Sequence, residues 1–316
     1  APAPPAARLV ERLGYTRLWF AEHHNNRHQM SMSPDLLIAH IAALTTHLQV
    51  GVGGLQLPNH SPLRIVENYS TLAALHPGRI DLGMGRAAST DAYTNVALRN
   101  SEVTLDGPAL MNMLMEVLAF FDQEFPVEHH YRGISPSPDP SLRPELFMLG
   151  SSTGGMQIAS QLGTGFAFSG QLNPTAAIPV LKKYRTDFVP SNYRAEPYSI
   201  LSMIVVCAES DEEARALAAP LELQWARWDS GQRHHAPPTF EHAAAYQYSP
   251  TEERARRRAP GRFIVGTGEH VAAQLRQLAT DAQVDELMTV NMIPDHQAQL
   301  KSCELLADAF GLTPRQ

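Results

Sequence analysis

Cysteine is scarce: Cys207 and Cys303 are the only two in 316 residues, far apart and in no Cys-x-x-Cys pair. That excludes a disulfide-stapled scaffold and a thiolate zinc site, and it suits a reducing cytoplasm. Basic residues are outnumbered, 25 against 32 acidic, for a net charge of −7. Such a balance gives no reason to expect nucleic acid or an anionic membrane as partner. Long apolar runs are missing too. The stretch Ile200–Ala208 is among the longest, far short of the ~20 residues a spanning helix needs. No basic segment followed by an apolar one opens the chain, so no signal peptide is expected. What remains is 44% hydrophobic and only 18% charged, enough apolar material for a large core and unlike a disordered chain.

Short strand-like runs alternate with longer helical ones. Strands are expected near residues 17, 49, 79, 145, 166, 200 and 285. Helices are expected over 34–46, 61–75, 108–121, 153–162, 174–188, from Asp211, over 266–279 and over 297–310. Two of these open with serine then proline, Ser33-Pro34 and Ser61-Pro62, a cap followed by a first-turn proline. Strands alternating with helices of this length predict a parallel sheet with crossover helices. Seven strands are one fewer than a (β/α)8 barrel holds. The vacancy falls ahead of Ala6, where the chain is already helical. The fold class expected is therefore α/β, a TIM-type barrel in one domain over 1–316, its first strand absent from the chain. Segments 87–107, 122–144 and 229–262 are long and polar and are expected as insertion loops of the kind that form lids or substrate walls.

Four places bear residues suited to chemistry. Glu22-His23-His24 follows the strand at Arg17–Ala21. At the carboxyl end of a barrel strand, a histidine can act as general base or hold a cofactor; equally, Glu22 can fix one ring as a structural histidine. His24 and His28 are four apart, but in a loop, which makes a poor metal pair. Gly53-Gly54 interrupts a strand, implying a bulge, unusual peptide geometry, or something flat against the backbone. Gly83-Met84-Gly85-Arg86 ends another strand, but no helix opens at once after it, so a dinucleotide fingerprint is rejected. Arg86 remains a good anion ligand. Gly150-Ser151-Ser152-Thr153-Gly154-Gly155 lies between strand and helix, where free N–H groups and the helix dipole favour phosphate. It also fits G-x-S-x-G, and so a rival: a serine hydrolase using Ser152, Asp285 and His296. Met111, Met113 and Met115 are expected in the core. His129-His130 and His234-His235 are expected in solvent, and the run Arg254–Arg258 on a solvated helix face or a loop.

Together these pieces resemble the bacterial-luciferase-like flavin-dependent monooxygenases. The matching stretches are LGYTRLWFAEHHN at 13–25, VGVGGLQLPNHSPLRIVENYSTLAALHPGRIDLGMGRA at 50–87 and PELFMLGSSTGGMQIASQLGTGFAFSG at 144–170, with FVPS at 188–191 and VCAESDEEA at 206–214. The resemblance implies FMN at the carboxyl ends of the strands, with the deazaflavin F420 as the alternative in related barrels. Its ring would approach Gly53-Gly54 across a non-prolyl cis peptide. Arg86, Ser151, Ser152 and the Gly155 and Met156 amides would hold the phosphate, with Ser169 at the same end. His23 would be the general base and His24 its support; no metal is implied. The implied reaction joins reduced FMN with O2 as a C4a-peroxyflavin, which puts one oxygen atom into an organic small molecule. Reduced FMN would come from a separate flavin reductase, and two copies would pair through the helices at 34–46 and 61–75. A catalytically silent flavin-binding relative is the further alternative. The run Phe168-Ser169-Gly170-Gln171 departs from the more apolar, histidine-containing form expected there.

Overall fold

The computed structural model describes residues 3–26, 29–86, 91–103, 105–232 and 236–315. The strands are β1 (Arg17–Phe20), β2 (Gln49–Gln56), β3 (Ile80–Gly85), β4 (Glu145–Gly150), β5 (Gly165–Ser169), β6 (Ser199–Ala208), β7 (Phe263–Thr267) and β8 (Glu286–Val290). The helices are α1 (Ala3–Arg12), α2 (Pro34–Leu44), α3 (Pro62–Leu75), α4 (Ala92–Arg99), α5 (Gly107–Asp122) and α6 (Thr153–Leu162), then α7 (Ala177–Asp187), α8 (Asp211–Asp229), α9 (Phe240–Ala245), α10 (Pro250–Arg258), α11 (Gly268–Ala282) and α12 (His296–Phe310). Local chemistry sets their ends. Asp106 accepts the Ala109 amide at 2.9 Å to start α5, and Gly163, at φ +61°, closes α6 in the left-handed conformation that glycine takes most readily. Ser33 and Ser61 stand at the cap positions of α2 and α3, but neither side chain makes a capping bond; Pro34 and Pro62 mark those starts instead.

Strands β1 to β6 pair in sequence order, all parallel. Strand β6 is long and serves two partners, β8 along Ile200–Ile204 and β7 along Ile204–Ala208. Among the described residues β1 pairs only with β2, and β8 only with β6. The sheet nevertheless curls until its outer strands meet: Arg17, first residue of β1, donates through Nε to both carboxylate oxygens of Glu286, first residue of β8, at 3.1 and 3.2 Å. The architecture is a parallel α/β barrel of the TIM type with a seam between β1 and β8.

Two expectations need correction. Among the described residues there are eight strands, not seven. The one missed, β7, follows Pro260-Gly261-Arg262 and reads as the tail of an insertion; Thr267 stands at the cap position of α11 without a side-chain capping bond, and the helix starts at Gly268 rather than Gly266. The new strand does not lie ahead of α1. Segments 87–107 and 229–262 are also not plain loops, for they carry α4, α9 and α10. Helix α10 displays the arginine run as a solvated face: Arg256 pairs with Glu222 and Glu253, and Arg257 with Glu253.

The N-terminal end of the barrel is filled by a buried polar plug. Asp81 accepts from the Arg17 guanidinium and from Trp19 Nε1, the latter at 2.8 Å, while Tyr198 donates to Glu286 at 2.7 Å. Burial raises the Asp81 carboxyl to about 6, against the opposing pull of Arg17 and Trp19. Trp19 meets Phe147 edge to face at 5.1 Å. This plug keeps water out of the lower barrel and leaves the opposite end, where every strand finishes, free for chemistry.

Candidate active site

A parallel sheet delivers all its strand ends to one rim. The loop after β1 brings Glu22, His23 and His24 there, the loop after β3 brings Arg86, the turn after β4 brings Ser151 and Ser152, and β5 ends on Ser169. The Gly53–Gly54 peptide of β2 is cis, at a point where the β2–β3 register shifts between Gly53 and Leu55. A Cβ on Gly53 would sit 2.5 Å from Trp19 Cε3, and one on Gly54 would sit 3.0 Å from Leu149 Cδ2 and 3.1 Å from the Gly83 carbonyl oxygen. The bare backbone at Gly53 thus accommodates the Trp19 indole, a packing reason for the glycine that the sequence reading did not include beside a bulge, an unusual peptide geometry or a flat ligand.

Arg86 and the serine turn come together. The nearest atom to a Cβ built on Gly154 is Arg86 Nη2, at 3.0 Å. The guanidinium therefore lies over the first turn of α6. Among the described residues it has no carboxylate partner and no hydrogen bond. Ser152 stands at the N-cap of α6 in extended conformation, exposed, and its hydroxyl does not cap the helix. A free cation, an uncommitted hydroxyl and the positive end of a helix dipole face the same place, which suits an oxyanion. Asn173 Nδ2 donates to the Ser151 carbonyl at 3.0 Å and so ties the turn after β5 to the turn after β4. Of the expected ligand set, Met156 is the one already engaged: its amide points to the Ser152 carbonyl at 3.5 Å and its side chain is wholly buried. Gly155 packs its Cα against Gly150, where a Cβ would come within 3.3 Å. In the run that departs from the family form, Gln171 accepts from Ser202 at 2.9 Å, and its carbonyl takes the Arg262 Nε proton at 2.9 Å.

The histidine pair divides. His24 Nε2 lies 2.6 Å from Glu22 Oε1, so His24 is the ring that Glu22 fixes. The second partner of that oxygen is His60 Nε2 at 2.8 Å, a residue the sequence reading missed, because nothing local links positions 38 apart. Glu22 Oε2 accepts the Gln56 amide at 2.6 Å. Burial pushes the Glu22 carboxyl up, but the donors from His60, Gln56 and His24 prevail and hold it below the ordinary range. His23 has a backbone bond to the Ser31 carbonyl at 3.1 Å and no side-chain bond among the described residues. Burial depresses its pKa, His24 adding to this and Glu22 opposing it, so the ring is neutral near pH 7.

The serine hydrolase triad is not assembled. Asp285 precedes β8 and binds Arg185, at 2.6 Å, and the Ser199 amide at the start of β6. It lies at the N-terminal end of the barrel, opposite the Ser152 rim. His296 opens α12 with its Nδ1 3.4 Å from Gln299. Three smaller expectations are also settled or set aside. His28 and the pair His234-His235 lie outside the described residues. His129 is not simply solvated, since it stacks on Phe125 at 4.6 Å. Met111 and Met113 pack on the core, but Met115 is 47% exposed. A concavity of about 870 Å³ lies elsewhere, between α8, α9 and α12, and includes Leu217, Phe240 and Ala298. Of its four acids, Glu213 and Asp295 serve helix starts, and it lies away from the rim, so it reads as a groove between helices rather than the reacting site.

Residues 3–286 match the sequence profile of the luciferase-like monooxygenases. The chain belongs to the luciferase-like monooxygenase family. A luciferase-like monooxygenase of Escherichia coli K12 is 36% identical over 302 residues, 96% of this chain and 88% of that one. The N-acetyl-S-alkylcysteine monooxygenase of Bacillus subtilis is 31% identical over 96% of this chain and 90% of its own length. The solved structure of apo-MsnO8 superposes with a TM-score of 0.86 at 34% identity, covering 99% of this chain and 93% of that one. At lower identity the fold persists. It recurs in the oxygenating constituent of 3,6-diketocamphane monooxygenase of Pseudomonas putida, solved with FMN (18%, TM-score 0.68, 99% of this chain and 93% of that one). It recurs again in a coenzyme F420-dependent tetrahydromethanopterin reductase of Methanopyrus kandleri (13%, TM-score 0.69, 99% and 96%). Luciferase-like membership makes this protein a monooxygenase by class. Among the described residues no helix is long and apolar enough to cross a membrane.

Proposed function

We propose that the protein is an FMN-dependent monooxygenase that uses reduced flavin and O2 to oxygenate an organic small molecule. The observation that carries the reading is the Arg86 guanidinium over the first turn of α6, without a carboxylate partner among the described residues. Drawing a guanidinium out of water costs free energy unless a counter-charge compensates it; here the partner of opposite charge would be the ligand. The residues present fit FMN. Arg86, with Ser151, Ser152 and the Gly155 amide, would hold the phosphate, and Met156 would contribute mainly packing beneath it. Ser169 would close the same end, and the bare Gly53–Gly54 backbone leaves room for a flat ring. F420 also carries phosphate, so the cradle serves either cofactor; the resemblance in the motifs favours FMN.

Bound reduced FMN supplies the electrons that let one atom of O2 pass to the substrate. The chain's own work is to bind, orient and keep water away. His23, neutral and without a side-chain hydrogen bond among the described residues, can accept a proton at the rim as general base. His24, held by Glu22, supports it. Among the described residues no nicotinamide site is evident, and the family resemblance implies that reduced flavin would come from a separate reductase in the cytoplasm. A homodimer through α2 and α3 is supported by two exposed leucines on those helices, Leu36 at 69% and Leu75 at 66%. The test is a pair of measurements on His23→Ala, FMN affinity and oxygen transfer to a substrate in the presence of a flavin reductase. Oxygen transfer falls far more than affinity; an equal loss of both removes the base assignment, and wild-type protein that fails to bind FMN removes the reading altogether.

A further inference from the structure

The Glu22 carboxylate is fully shielded, with 0% of its side chain exposed, against 11% for His24 and 32% for His60. It joins three elements: its own loop after β1, the Gln56 amide at the end of β2, and His60 just ahead of α3. A second strap reinforces the first, because Gln56 Nε2 donates to the Glu22 carbonyl at 2.7 Å. Asn59 Nδ2 in turn donates to Gln56 Oε1 at 3.1 Å. The strand carrying the Gly53–Gly54 peptide and the loop carrying His23 are thus clamped together through the side chains of Glu22 and Gln56.

An ionised carboxylate has lone pairs and no proton, so each nitrogen beside it must donate. His24 Nε2 at 2.6 Å and His60 Nε2 at 2.8 Å both face Glu22 Oε1. Each ring must therefore carry hydrogen on Nε2, which leaves Nδ1 as the nitrogen able to take up a proton. Neither ring makes another side-chain hydrogen bond among the described residues. We infer that Glu22 is a positioning residue that fixes His24 and His60 as Nε2–H tautomers, and that His60 belongs with His23 and His24 at the rim. Any proton that His24 or His60 accepts there enters at Nδ1. The inference deepens the proposed function and rests on it only for what the rim is used for; the tautomers follow from the hydrogen bonds.

Nitrogen-15 NMR on protein labelled in histidine reads the tautomers directly, without flavin or substrate. His24→Gln and His60→Gln assign the two rings among the 14 histidines. In the wild type both show the Nε2–H pattern at a pH where they are neutral. In Glu22→Gln, whose amide can present either a donor or an acceptor, both lose that fixed pattern; in Glu22→Asp at least one ring recovers it. An Nδ1–H pattern for either ring in the wild type overturns the inference, even if Glu22→Gln does not fold. So do patterns unmoved by Glu22→Gln, or moved for His24 alone. Since no cofactor enters the test, a protein that binds no FMN but shows both tautomers would fail the proposed function and leave this inference standing.

Discussion

Gly53→Ala tests why the strand beneath the rim is bare. The new methyl carbon would lie 2.5 Å from Trp19 Cε3 and 3.3 Å from Trp19 Cβ and Cδ2, where carbon atoms in contact prefer about 3.5–4.0 Å. Trp19 has little room to move away. Its Nε1 is bonded to Asp81 at 2.8 Å, and its ring is wedged edge-on against Phe147. Overpacking at a site that cannot relax costs about 1–3 kcal/mol, which lowers the melting temperature of a chain this long by several degrees. The assay is thermal and urea denaturation beside Gly133→Ala, where a Cβ meets nothing within 4 Å and the change should stay within about 0.5 kcal/mol. Trp19→Leu supplies a double-mutant cycle: if the indole is the obstacle, the two substitutions are non-additive by roughly 1 kcal/mol or more. Gly53→Ala protein as stable as Gly133→Ala, or strictly additive losses, would refute the packing argument and return the glycine to a purely ligand-facing role.

Three further outcomes follow from the same geometry. Arg86→Ala should weaken FMN binding by about 1.5–3 kcal/mol, the range of a charge-assisted bond and roughly ten- to a hundred-fold in affinity, as read by calorimetry; unchanged affinity would remove Arg86 from the cradle. The folded-state pKa of His23 is depressed, so its neutral ring favours folding above the unfolded value of about 6.5 and that contribution is lost as pH falls through the lower folded value. His23→Gln should therefore lose less stability than the wild type between pH 7 and pH 5 in denaturation series, and equal losses would contradict the assignment. Arg17→Met leaves Asp81 buried without its guanidinium partner and should cost about 3–5 kcal/mol. The Asp81 carboxyl is already raised to about 6, and a raised group contributes its stability at low pH and loses it as pH rises. The variant should accordingly regain stability on acidification from pH 7 to pH 5, and further loss on acidification would show that Asp81 is not the group left uncompensated.

Much of the fold could be read from alternation alone. Seven strands, and the proline-marked starts of α2 and α3, lie within a residue or two of their places because each is a local signal. Strand β7 escaped because five residues after Pro-Gly-Arg carry no period of their own, and their place depends on the far half of β6. Helices α4, α9 and α10 are short and largely exposed, so no sustained apolar period marked them. At the rim, His23, His24, Gly53, Gly54, Arg86 and Ser152 stand out because strand ends are legible. The Glu22–His60 bond spans 38 positions and the Gly53–Trp19 contact spans a whole crossover, so neither leaves a local trace. The hydrolase order Ser152, Asp285, His296 was plausible along the chain and fails in space, because Asp285 precedes its strand while Ser152 follows one.

The central claim is that Arg86 and the turn at Ser151–Ser152 are built to grip a phosphate at the head of α6. Parallel titrations of the wild-type protein with FMN and with riboflavin, which share a ring system and differ by that phosphate, test it most directly. FMN should bind at least ten-fold tighter than riboflavin, with the gap closing in Arg86→Ala. Equal affinity for the two flavins, or a preference that survives the loss of Arg86, would contradict it.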